Sequence, residues 1–186
     1  MTDLSKINLH KIHTIIFDFD GVFTDNRVWV NENGSEMVCC SREDGLGISM
    51  LKNYKKQIEW DGNFFTLSTE KNSVVSKRMK KLGIECYQGV SDKAKFICDY
   101  LTNQFPTNDN IFEGLIYLGN DLNDLSIMKL AKYSVAPADA HPVIKKNATF
   151  VLSQMGGQGF VRAFIENIIN LNNLSEEKID ELIFNC

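Results

Sequence analysis

Asp18 and Asp20, two residues apart just after the apolar run 14–17, are the first side chains whose types and spacing could do chemistry. If residues 14–19 form a strand, both carboxylates leave it on the same side. Two like charges so close are unfavourable unless a cation or a proton resolves them. Further along stand Ser68, then Lys93 in Gly89-Val90-Ser91-Asp92-Lys93, then the oxygen-rich cluster Asn120, Asp121, Asn123 and Asp124. A hydroxyl beside free amides at a helix start can hold an anion. A lysine at such a start opposes the helix dipole and so wants an anionic partner. The four oxygen-bearing side chains are hard ligands of the kind magnesium takes, with waters and phosphate oxygens. Each feature alone also has an ordinary reading, as a helix cap, a solvated charge or an acidic first turn.

The elements that must position these residues alternate in type. Strand-like apolar stretches at 14–19, 64–68, 84–87, 114–118, 134–136 and 149–152 alternate with helical patterns at 45–54, 74–82, 94–101, 122–131 and 160–171. Such β-α alternation predicts an α/β fold, a parallel sheet with helices on both faces and right-handed crossovers. In that architecture ligands bind beyond the carboxyl ends of the strands, where every candidate lies. One segment departs from the rhythm: residues 27–31 and 36–40 are β-rich and flank Glu32-Asn33-Gly34-Ser35, which predicts a hairpin turning at Asn-Gly. A closing helix is expected over 174–184, with Ser175 as N-cap and Glu176 and Glu177 in its first turn.

Composition bounds the rest. The chain has 186 residues, 44% hydrophobic and 24% charged, which predicts one globular domain over 1–186. Its net charge of −4 shows no basic surplus for nucleic acid. No apolar run suits a membrane span, and residues 1–11 lack a secretory pattern, so a cytoplasmic protein is expected. Cys39, Cys40, Cys86, Cys98 and Cys186 are scattered and odd in number. They read as reduced, mostly buried thiols rather than a disulfide framework, and no zinc-ligand spacing joins them to His10, His13 or His141.

The order of the four junctions, D-x-D, Ser, Lys and an Asn/Asp cluster, resembles the haloacid dehalogenase superfamily of phosphohydrolases. The resemblance implies a Rossmann-like fold in which Asp18 attacks phosphorus and Asp20 serves as general acid and base. It gives Ser68 and Lys93 the phosphoryl group, and Mg²⁺ to Asp18, the Asp20 backbone carbonyl and the Asn120/Asp121 pair. Asn120 departs from the acid usual at its position. That leaves open whether Asn120, Asp121 or Asp124 is the third protein ligand, and whether activity is full.

Only 47 residues separate Asp20 from Ser68 and 24 separate Ser68 from Lys93, too few for a cap domain. The hairpin, about residues 26–40, is the lid candidate. Over residues 12–171 the chain is similar to the capless 3-deoxy-D-manno-octulosonate 8-phosphate phosphatase family. That family includes nonulosonate 9-phosphate phosphatases and the phosphatase-like domains joined to acylneuraminate cytidylyltransferases. Further matches are Ser41-Arg42-Glu43-Asp44-Gly45, counted with the substrate-binding candidates, Ala136-Pro137-Ala138-Asp139-Ala140-His141-Pro142, and Gly156-Gly157-Gln158-Gly159. The resemblance implies a homotetramer with hairpins at its centre and each site closed by a neighbour. Where octulosonate enzymes read T-G-R, this chain reads Ser68-Thr69-Glu70-Lys71, closer to the nonulosonate branch. Arg there could bind a sugar carboxylate, whereas Glu70 would repel it. Glu70 and Lys71 are therefore specificity candidates, and a nine-carbon sugar phosphate is favoured. The alternative reading is a non-catalytic module kept for oligomerisation beside a cytidylyltransferase.

Overall fold

The computed structural model describes residues 3–184. Two short 3-10 turns, Leu4–Lys6 and Leu9–Lys11, lead into β1 (Thr14–Phe17). The hairpin follows as β2 (Thr24–Val30) and β3 (Glu36–Cys40), then α1 (Arg42–Gln57) and β4 (Asn63–Leu67). Next come α2 (Val74–Leu82), β5 (Glu85–Tyr87), α3 (Lys93–Gln104) and β6 (Leu115–Leu118). The chain continues through a 3-10 turn (Leu122–Asp124), α4 (Leu125–Leu130), β7 (Tyr133–Ala136), α5 (Pro142–Asn147) and β8 (Phe150–Val151). It closes with α6 (Phe160–Ile168), a 3-10 turn (Leu171–Asn173) and α7 (Glu176–Phe184).

Six strands form one parallel sheet in the order β5-β4-β1-β6-β7-β8. Its central strands β1 and β6 are buried at every position, as expected when helices cover both faces. Alternate residues serve two separate cores. Ile15 and Phe17 pack with α1 and α6 residues such as Met50 and Phe164. Ile16 and Tyr117 pack on the other face with Ile97 of α3 and Ile127 of α4. The crevice at the carboxyl ends of β4, β1 and β6 is the expected ligand position, and among the described residues no cap domain is inserted beside it.

Several boundaries differ from the sequence reading. β1 stops at Phe17, so Asp18 and Asp20 come together through a turn rather than by strand alternation. The hairpin loop is not a two-residue Asn-Gly turn. The Asn31 side chain accepts from the Asn33 and Ser35 amides, and only Gly34 takes a left-handed φ, of 75°. The 122–131 helix splits into a 3-10 turn and α4 because Asp121 and Asp124 cap one another's backbone. α6 ends at Ile168, short of the expected 171. Helix α5 was not foreseen. Cys39 is exposed, and Cys40, Cys86 and Cys98 are only half-buried, so burial is a poor account of the thiols; Cys186 lies outside the described residues.

The hairpin is a separate two-stranded antiparallel ribbon. Trp29 pairs with Met37 across it, and these side chains are 67% and 60% exposed. Among the described residues no helix is long and apolar enough to cross a membrane.

Candidate active site

Asp18 sits where β1 ends, 4% exposed. Its Oδ1 accepts from the Phe19 amide at 2.7 Å and pairs with Lys93 Nζ, also at 2.7 Å. The other oxygen makes no hydrogen bond among the described residues, and Asp18 lines a cleft of about 300 Å³ with Asp20, Asn26, Thr69, Asn120 and Asp121. Burial and the nearby Asp124 charge raise the Asp18 carboxyl above its usual range, against the pull of Lys93. Burial first, then Glu70, also raises Asp20. Asp20 therefore holds a proton more readily than an exposed aspartate.

The loop between these acids and β2 is built around Thr24. Its hydroxyl accepts from the Gly21 and Asn26 amides, each at 3.2 Å, and reaches Asp20 Oδ1 at 3.5 Å. Gly21 has a φ of 75°, and a Cβ there would fall 1.9 Å from Asn120 Nδ2, so the two loops touch backbone to side chain. From behind, the Gly157 amide donates to the Val22 carbonyl at 3.1 Å. A Cβ on Gly156 would lie 2.1 Å from the Gly21 carbonyl oxygen. The Gly-Gly-x-Gly motif thus abuts the loop that follows Asp18.

Lys93 opens α3 and is buried between two carboxylates, Asp18 at 2.7 Å and Asp124 at 2.8 Å. Burial alone would lower its pKa, but Asp18 and Asp124 outweigh that and raise it, so the ammonium stays charged. Here is the anionic partner the sequence asked for. Asp124 is fully engaged: Oδ1 takes Lys93 and the Tyr117 hydroxyl (2.7 Å), and Oδ2 takes the amides of Asn120 (2.9 Å) and Asp121 (3.3 Å). Asp121 caps the following turn, accepting from the Leu122 amide at 2.7 Å. The His141 amide in turn holds the Asn120 carbonyl at 2.9 Å, which gives the Ala136–Pro142 stretch a place behind this loop.

Asn120 Oδ1 is buried and has no hydrogen-bond partner among the described residues. An orphaned amide oxygen costs about 1–3 kcal/mol unless something binds it. Among the described residues no group of three or more His, Cys, Asp and Glu side chains is set to hold a metal. The oxygens on offer are the free Asp18 carboxylate oxygen, the Asp20 region and Asn120 Oδ1, a hard set that fits magnesium.

The other candidates lie beside the cleft or away from it. Ser68 is buried at the end of β4, its hydroxyl accepting from the Glu70 amide at 3.0 Å, one residue from the cleft-lining Thr69. Glu70 turns back: one carboxylate oxygen accepts from the Lys71 and Asn72 amides at 2.6 and 2.7 Å. Lys71 is exposed. None of Ser41, Arg42, Glu43, Asp44 and Gly45 lines the cleft. Ser41 caps α1 through the Glu43 amide, and its carbonyl accepts from Arg78. Asp44 is buried against α6, accepting from the Arg162 amide at 2.9 Å. Thr24, Asn26 and Tyr117 are site residues the sequence reading did not single out. Thr24 falls within the aspartate motif, but nothing local marks Tyr117.

A family model described as haloacid dehalogenase-like hydrolase matches residues 2–164. The chain belongs to that family. It is 32% identical over 171 residues to the 3-deoxy-D-manno-octulosonate 8-phosphate phosphatase of Escherichia coli strain K12, covering 91% of this chain and 84% of that protein. The crystal structure of the same-named phosphatase from Yersinia pestis is 31% identical, with a TM-score of 0.74 over 87% of this chain and 83% of that one. The cobalt-bound deoxy-D-mannose-octulosonate 8-phosphate phosphatase of Haemophilus influenzae is 31% identical, with a TM-score of 0.74 over 87% and 90% of the two chains. The family and these relatives make the chain a hydrolase of the phosphatase kind.

Proposed function

We propose that the chain is a single-domain, magnesium-dependent phosphatase of a 2-keto-3-deoxy sugar-acid phosphate. The observation that carries it is the buried Asp18–Lys93–Asp124 array, with Asp18 also lining the cleft. Asp18 attacks phosphorus, the bond to the sugar oxygen breaks, and Asp20 gives that oxygen its proton. Asp20 then takes a proton from water, whose oxygen attacks the aspartyl-phosphate and releases phosphate with Asp18 restored. Ser68 and Lys93 steady the phosphoryl oxygens. Lys93 cannot offset the substrate charge alone, since two carboxylates already share it. Each unit-charge pair at 4 Å is worth about 4 kcal/mol at an effective dielectric of about 20. Asp18, the Asp20 carbonyl and Asn120, with Asp121 close by, would hold magnesium, which would supply the remaining positive charge. Asp124 is taken up by Lys93, Tyr117 and two amides, which favours Asn120 for the third position.

The named substrate of the relatives supports 3-deoxy-D-manno-octulosonate 8-phosphate as the first choice. The sequence favoured a nine-carbon nonulosonate 9-phosphate because Glu70 would repel the eight-carbon sugar's carboxylate. One Glu70 oxygen accepts from two amides, yet Glu70 still acts on Asp20, so Ser68-Thr69-Glu70-Lys71 keeps the second reading in play. A phosphate-release screen over both sugars and unrelated hexose phosphates separates them. Asp18→Asn is expected to lower turnover by at least a thousandfold. Absence of magnesium-dependent release from every sugar phosphate would leave the non-catalytic module instead.

The exposed apolar hairpin supports a homotetramer in which hairpins pack together and a neighbour closes each site. A two-stranded ribbon is marginal alone, and Trp29, Val28, Val30 and Met37 are all more than half exposed.

A further inference from the structure

The Tyr117 hydroxyl is buried beneath the site and reaches no reacting group. We infer that Tyr117 is a positioning residue, which through Asp124 sets both the catalytic ammonium of Lys93 and the loop that presents Asn120. The inference rests on the phosphatase reading and adds a residue to its machinery.

Tyr117 lies on β6 with no exposed surface, its ring packed on the face covered by α3 and α4. A buried hydroxyl must find a partner, and this one donates to Asp124 Oδ1 at 2.7 Å. The same oxygen accepts from Lys93 Nζ at 2.8 Å. Two donors converging on one oxygen fix the carboxylate plane, which aims Oδ2 at the Asn120 and Asp121 amides. Asp124 is therefore a bridge with Lys93 at one end and the Asn120 loop at the other, and Tyr117 is its footing. Removing the hydroxyl leaves Oδ1 with Lys93 as its sole partner. The lone bond strengthens and draws the ammonium toward Asp124, away from Asp18, which sits 2.7 Å on its other side. Ground-state phosphate would feel this little. The five-coordinate phosphorus of the transition state, with charge building between Asp18 and Lys93, would feel it fully.

Tyr117→Phe keeps the ring and its packing. At saturating magnesium, kcat is expected to fall about tenfold while KM stays within twofold. Calorimetric titration with orthovanadate, which mimics the five-coordinate state, should show affinity about tenfold weaker, with inorganic phosphate within twofold. Unchanged kcat and vanadate affinity would overturn the inference. So would equal weakening of phosphate and vanadate, the mark of a loosened core. Wild-type protein that binds neither anion with magnesium would instead overturn the phosphatase reading beneath it.

Discussion

Asp44 is a buried acid outside the cleft whose surroundings do not suit its charge. Its Oδ1 is held by the Arg162 amide, but Oδ2 is buried without a hydrogen bond. Burial pushes it up to about 6; Glu43 adds to the rise, while the Val161 and Arg162 amides and Arg78 oppose it. An unfolded aspartate titrates near 3.9, so the folded protein binds the extra proton between about pH 4 and 6. The resulting stabilisation is full below the unfolded value and is lost as pH rises through 6. Asp44→Asn cannot titrate. Urea midpoints of the two proteins should therefore diverge from pH 4.5 to 7.5, the variant gaining on the order of 1–2 kcal/mol. Parallel profiles would refute this. Gly156→Ala tests a different contact. Its methyl group has no room beside the Gly21 carbonyl, so the loop that follows Asp18 must shift. A loss of kcat of about a hundredfold is expected with the fold retained by circular dichroism, in line with the sensitivity of catalysis to misplacements near 1 Å.

At the scale of elements, the sequence was most readable where burial is two-sided. The runs Thr14–Phe17 and Leu115–Leu118 are apolar without alternation because helices cover both faces. The pattern Val74–Leu82 matches α2 residue for residue. Helix α5 was hidden: it is six residues long with only Ile144 buried, too little for a 3.6-residue period to register. The four chemical junctions were legible because each is local to one strand end. What joins them was not. Asp124 looked like one acid among several, and only the folded sheet shows its oxygens shared among Lys93, Tyr117 and two amides. Glu70 shows the converse. Its charge is visible in sequence, but its capture by the next two amides depends on turn geometry.

The whole molecule presents an apolar ribbon projecting from a closed α/β body. If hairpins join copies of the chain, replacing Trp29 and Val30 with Lys should shift light-scattering mass from tetramer toward smaller species. Turnover should fall with the mass, since an unassisted hairpin leaves the cleft open. A tetramer that survives both substitutions would place the interface elsewhere.

The Gly156–Gly157 backing has a consequence in time. The strand that leads into Asp18 sits mid-sheet, yet the segment bracing its loop emerges from the ribosome some 135 residues later. The loop after Asp18 therefore lacks its backing until residues 156–157 have been added to the growing chain.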